Sequence, residues 1–146
     1  MPSEITDDRG SETILLVEGS ESLRKLTCIL LKDCGYTVIE GANGREAFEI
    51  AGRETGPIHI LVTDLIMPFM GGYELSKRLT AMRPDLKVLY MSGYADATIV
   101  RNGVLEPGLA LIQKPFTKNA LVRKVGEILD SSASRDLAII ESVSSS

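Results

Sequence analysis

Five short apolar runs, Ile14–Val17, Tyr36–Ile39, Ile58–Val62, Val88–Met91 and Leu109–Ile112, recur along the chain with segments of helical length between them. Each run is the length of a strand, rich in Val, Ile and Leu, and shows little polar alternation. That pattern suits strands covered on both faces, as in a parallel sheet. Parallel strands need crossovers, and the intervening segments supply them. Ser20 is placed to cap a first helix carrying Leu23, Leu26, Leu30 and Leu31, with Gly35 after its end. Asn43 is placed to cap a second, with Ala47, Phe48, Ile50 and Ala51. A third is expected from about Gly72 to Met82, with Leu75 and Leu79 inward and Pro84 beyond. A fourth is expected from about Asp96 to Val104, and a fifth after Thr117 carries Leu121, Val122, Val125, Ile128 and Leu129. Strict alternation with right-handed crossovers implies a doubly wound α/β sandwich with helices on both sides of the sheet.

The chain has 146 residues, enough for one domain with a real core. Its net charge of -4 argues against a nucleic-acid surface, which rests on clustered Lys and Arg. No apolar run approaches the roughly 20 residues that span a bilayer. The acidic start "MPSEITDDRGSE" is unlike a signal peptide, so a cytoplasmic location is expected. Residues 1–11 read as a flexible leader, 12–130 as the folded unit and 131–146, with seven serines, as a disordered tail. Within the tail, "LAII" at Leu137–Ile140 is a short apolar patch. Cys28 and Cys34 lie six positions apart in one expected helix and so on different faces. Neither a disulfide nor a metal site follows from them. His59, the single histidine, reads as a strand residue rather than a ligand.

In an open α/β sheet the site lies beyond the carboxyl ends of the strands. There the chain offers Glu18 after the first run, Thr63-Asp64 after the third, Ser92-Gly93 after the fourth and Gln113-Lys114-Pro115 after the fifth. Two carboxylates, a hydroxyl and an ammonium at one sheet edge suit phosphoryl transfer. A carboxylate such as Asp64 can be the nucleophile, forming an acyl phosphate. Lys114 and Ser92 can serve the phosphoryl oxygens, and acidic oxygens can hold a divalent cation.

The stretches "ILLVEGSESLRKL", "LVTDLIMPFMGGYEL", "VLYMSGYAD" and "LIQKPF" closely resemble, in order and spacing, the receiver domain of two-component response regulators. The last two resemble receivers attached to hybrid sensor histidine kinases. The resemblance spans about Glu12 to Asp130. It implies the flavodoxin-like (βα)5 fold with strand order 2-1-3-4-5, which the family itself exemplifies. By this resemblance Asp64 is the phosphoacceptor, served by a phosphohistidine on a kinase or phosphotransfer protein. Ser92 and Lys114 are the phosphoryl-binding and switch residues. Glu18, Asp64 and the backbone carbonyl of Ile66 hold Mg2+, and the Lys114–Pro115 bond is cis. The expected partner face is formed by the fourth helix, fifth strand and fifth helix.

Two departures stand out. The family carries two adjacent acids after its first strand, but here the pair reads Glu18-Gly19, so a direct metal ligand is replaced by hydrogen. The glycine is no phosphate loop, because the spaced glycines and the Lys-Ser/Thr of such loops are absent. Weakened metal binding and slower phosphorylation follow. The aromatic switch residue often found three positions before the lysine is Leu111, which leaves Tyr94 to carry part of any response.

Three readings follow: a phosphorylatable receiver, a pseudo-receiver that binds partners in one fixed state, and an aspartate-nucleophile phosphohydrolase. The last needs an Asp two positions after its nucleophile, where this chain has Ile66. No output domain is expected within the residues outside 12–130. The expectation is therefore a single-domain phosphorelay regulator or a piece of a larger protein such as a hybrid kinase.

Overall fold

A computed structural model describes residues 12–93 and 109–130. Five strands, β1 (Thr13–Val17), β2 (Thr37–Gly41), β3 (Ile60–Asp64), β4 (Lys87–Ser92) and β5 (Leu111–Gln113), form one sheet in the order β2-β1-β3-β4-β5. Every pairing is parallel. The helices α1 (Glu21–Lys32), α2 (Gly44–Arg53), α3 (Gly72–Met82) and α4 (residues 118–130) cover it. This is the flavodoxin-like arrangement with strand order 2-1-3-4-5. The expected helix over Asp96–Val104, Tyr94, the leader and the tail lie outside the described residues. Among the described residues, no helix is long and apolar enough to cross a membrane.

The period of two along each strand divides the core. Ile14, Leu16, Ile60, Val62, Leu89 and Met91 face α1 and α4, meeting Cys28, Leu31, Leu121 and Val125. Leu15, Val17 and Leu61 face α2 and α3, meeting Ala47, Ala51, Leu75 and Leu79. Each fully buried Leu or Ile stabilises the sandwich by roughly 1.5–3 kcal/mol before entropy is counted.

Four strands, β2 to β5, reach beyond the carboxyl ends of their apolar runs. The ladder between β3 and β4 continues to Asp64 opposite Met91, and that between β4 and β5 to Ser92 opposite Gln113. On the other side, β1 pairs with β2 as far as Gly41. Neighbouring backbone, not side-chain hydrophobicity, decides these ends. The same logic corrects His59: it precedes β3, where its Nδ1 accepts the Thr13 N–H at 2.9 Å.

Helix starts follow the sequence. Ser20 Oγ accepts from Leu23 N at 3.3 Å and Asn43 Oδ1 from Glu46 N at 2.8 Å. Thr117 Oγ1 accepts the Ala120 amide at 3.0 Å. Gly35 ends α1 with φ 96°, a conformation costly for other residues. Inward faces are narrower than the apolar spacing implies. Leu26 is 53% and Ile29 62% exposed, while Thr27 and Cys28 take the core side. Phe48 likewise lies at the surface of α2.

One close approach ties this scaffold to its functional end. A Cβ on Gly72 would lie 1.9 Å from the Asp64 carbonyl oxygen, and Gly72 N donates to Leu65 O at 2.8 Å. Helix α3 therefore starts against the backbone of Asp64. Gly72→Ala is expected to lower stability by about 2–3 kcal/mol, as overpacking against rigid backbone does. Urea unfolding measures it, and a loss no larger than that of an exposed helical Gly→Ala change would contradict the packing.

Candidate functional site

Each strand delivers its polar residue to the same edge because the register aligns their ends. Val17 of β1 pairs with Thr63 of β3, and Glu18 and Asp64 come next along the two strand directions. Both are buried, at 3% and 7% exposure. Ser92 closes β4 and is equally buried. Lys114 follows β5, its N–H donating to Ser92 O at 2.8 Å.

The lysine ammonium sits between the acids. Lys114 Nζ donates to Asp64 Oδ1 at 2.7 Å and to Glu18 Oε1 at 3.4 Å. Glu18 Oε2 accepts the Ser20 N–H at 2.8 Å. Burial first, then a hydrogen bond and like charge from Glu18, push the Asp64 carboxyl up to about 7 against the pull of Lys114. Burial works against the Lys114 charge, but Asp64 and Glu18 outweigh it and hold the ammonium above the usual lysine range. Among the described residues no third acid, histidine or cysteine joins these groups into a metal cluster.

Gly19 is exposed beside this centre. A Cβ there would touch only the Ala42 carbonyl oxygen, at 3.9 Å, and its φ is not positive. Neither space nor backbone demands glycine. The Lys114–Pro115 peptide is cis. Ile66 is half exposed, and Phe69, in the loop before α3, is fully exposed with φ 69°. Leu111 is half-buried opposite Tyr90, whose hydroxyl bonds Ser76 Oγ from within the core. An apolar hollow of about 300 Å³ opens beside Lys114, lined by Leu23, Leu26, Leu30, Pro115 and Phe116.

Arg24 and Glu40 also belong to this end of the molecule, and no motif in the sequence marks them. Arg24 Nη1 donates to the Glu18 carbonyl at 2.8 Å, and its Nε lies 3.3 Å from Glu40 Oε1. Charged residues on helices and edge strands usually face water, so composition offered no signal. The spacing from Glu18 to Arg24, one helical turn past the cap, was the available one.

A model of the response regulator receiver domain matches residues 14–126. The chain belongs to this receiver family. It is 38% identical over 125 residues to the sensor kinase CckA of Brucella abortus, covering 86% of this chain but only 13% of that kinase. It is 33% identical over 116 residues to the receiver protein CpdR of the same organism, covering 80% of this chain and 95% of CpdR. Among solved structures, the receiver domain of the hybrid histidine kinase CckA superposes with a TM-score of 0.68 at 30% identity, covering 80% of this chain and 98% of that one. A receiver from Clostridium thermocellum, at 19% identity and a TM-score of 0.75, shares the fold. Receivers interact with histidine kinases or phosphotransfer proteins and generally act as signalling modules rather than catalysts.

The raised Asp64 carboxyl has a stability consequence. Between about pH 4 and 7 the folded protein holds a proton there that the unfolded chain has released. The cost of ionising Asp64 therefore grows as pH rises and is complete above about pH 7. In chelator, Asp64→Asn is expected to be more stable than the parent by about 1–3 kcal/mol at pH 8, with the gap closing towards pH 5. Urea denaturation across that range would show it, and a gap that widens on acidification would refute the assignment.

Proposed function

We propose that this receiver accepts a phosphoryl group on Asp64 from a phosphohistidine of a sensor kinase or phosphotransfer protein, and so switches partner binding in a cytoplasmic phosphorelay. The observation that carries the reading is the 2.7 Å contact between Lys114 Nζ and Asp64 Oδ1 in a buried pocket rimmed by Ser92. The N–P bond of the donor breaks as a P–O bond to Asp64 forms, and the imidazole keeps the electron pair and takes a proton. Lys114 then moves its ammonium from carboxylate to phosphoryl oxygen, and the Ser92 hydroxyl donates to a second one. Such chemistry is mainly positioning and charge.

Glu18, Asp64 and the Ile66 carbonyl would supply an all-oxygen donor set suited to Mg2+ keeping several waters. The bound ion would supply positive charge beside the phosphoryl oxygens. Gly19 leaves one carboxylate fewer than the family pair, so affinity for the ion is lower. The apolar hollow beside Lys114 supports docking of a helix from the phosphodonor. We take 12–130 as the receiver unit and the face around β5 and the last helix as the output side. The kinship with CckA also allows origin in a hybrid kinase.

A second reading has its own observation. Because nothing in the turn requires glycine at position 19, the loss of the acid is chemical rather than structural. A pseudo-receiver that binds its partner without phosphate would show that loss.

Intact mass after incubation with magnesium and acetyl phosphate separates the two. The parent is expected to gain one phosphoryl adduct, Asp64→Asn none, and Gly19→Asp to react about tenfold faster, a change of about 1.4 kcal/mol in barrier. An adduct confined to Gly19→Asp would favour the pseudo-receiver.

A further inference from the structure

The turn from β1 into α1 carries Glu18 and then a residue with no side chain to restrain it. Glycine gives a turn its greatest backbone freedom. Among the hydrogen bonds that hold the Glu18–Ser20 stretch in place ahead of the helix, three bear on the backbone around Gly19. Glu18 N donates to Gly41 O at 3.2 Å, Ser20 N to Glu18 Oε2 at 2.8 Å, and Arg24 Nη1 to Glu18 O at 2.8 Å.

Arg24 is the side-chain donor among them, and its setting is unlike that of a solvated helix arginine. Its side chain is 13% exposed. Its Nε lies 3.3 Å from Glu40 Oε1 on β2, and Glu40 also meets Lys25 Nζ at 3.4 Å. One planar guanidinium thus links α1, β2 and the peptide joining Glu18 to Gly19. A rigid fork fixes direction as well as distance, which a lysine does less well. Charge-assisted bonds of this kind are stronger than neutral ones.

We propose that Arg24, anchored by Glu40, is a positioning residue of the phosphoacceptor site. It holds the Glu18–Gly19 peptide, and through it the Glu18 carboxylate, beside Lys114 and Asp64. In doing so it provides the restraint that a side chain at position 19 would otherwise share. Its functional consequence rests on the phosphoacceptor reading; its geometry does not.

The test compares backbone amide exchange at Ser20 and Val62 in the parent, Arg24→Met and Arg24→Lys, each with and without Gly19→Asp. Arg24→Met is expected to speed exchange at Ser20 about tenfold while leaving Val62 unchanged, since a local restraint rather than the fold is lost. Arg24→Lys, keeping one donor, falls between. With Gly19→Asp the effect shrinks to about threefold, because neighbouring restraints couple. With magnesium and acetyl phosphate, Arg24→Met forms its adduct about tenfold more slowly than the matching Arg24 protein. Unchanged exchange at Ser20, or equal acceleration at Val62, overturns the proposal. Should Arg24→Met fail to fold, Glu40→Gln must accelerate Ser20 alone, or the proposal falls. Should no background take a phosphoryl group, the phosphoacceptor reading fails while the exchange rates still decide the role of Arg24.

Discussion

An ammonium between two buried carboxylates is the constraint around which this end of the molecule is arranged. Glu18 and Asp64 arise at the ends of adjacent parallel strands, so their approach is imposed by register. Left alone they would repel in a poorly solvated pocket, and one would retain its proton. Lys114 offsets that repulsion from the far side of the sheet, reaching across β4 from the end of β5. The arrangement is poised: one positive charge faces two negative ones, and Asp64 remains hard to ionise. A cation or a phosphoryl group entering here meets charge already close to balance, and small additions of charge shift it strongly.

The scaffold's contribution is precision at strand ends. Alternate residues of β1 and β3 fill two separate apolar layers, which fixes both faces of the sheet and forbids a one-residue slip. A slip would move Asp64 and Glu18 out of line with each other. Gly72 adds a local stop, because α3 begins against the Asp64 carbonyl with no room for a side chain. Asp64 is thus held by its strand on one side and a helix start on the other.

Much of this was legible in the sequence. The five apolar runs, the caps at Ser20 and Asn43, and the polar residues following each run identified the fold and the site edge. Strand ends were less legible, since Asp64 and Ser92 join their ladders through backbone bonds that hydrophobicity does not encode. Leu26 obeys helical spacing yet remains exposed, as does Ile29, because the sheet covers only the Thr27–Cys28–Leu31 side of α1. His59 lies in an apolar run but serves as a hydrogen-bond acceptor ahead of its strand. Arg24 and Glu40 were invisible as a pair: they lie sixteen residues apart, and only the packing of α1 on β2 joins them.

The separation of the charges along the chain has a bearing on how the molecule assembles. Glu18 and Asp64 come together as soon as β1 pairs with β3, but the lysine that reconciles them lies 96 residues beyond Glu18. Closing so long a loop costs chain entropy, although that cost grows only slowly with length. The strand at the far edge of the sheet therefore leads to the charge that offsets the repulsion of the central pair. In this way the site's charge pattern ties the edge of the sheet to its central pair, quite apart from any signal the finished domain transmits.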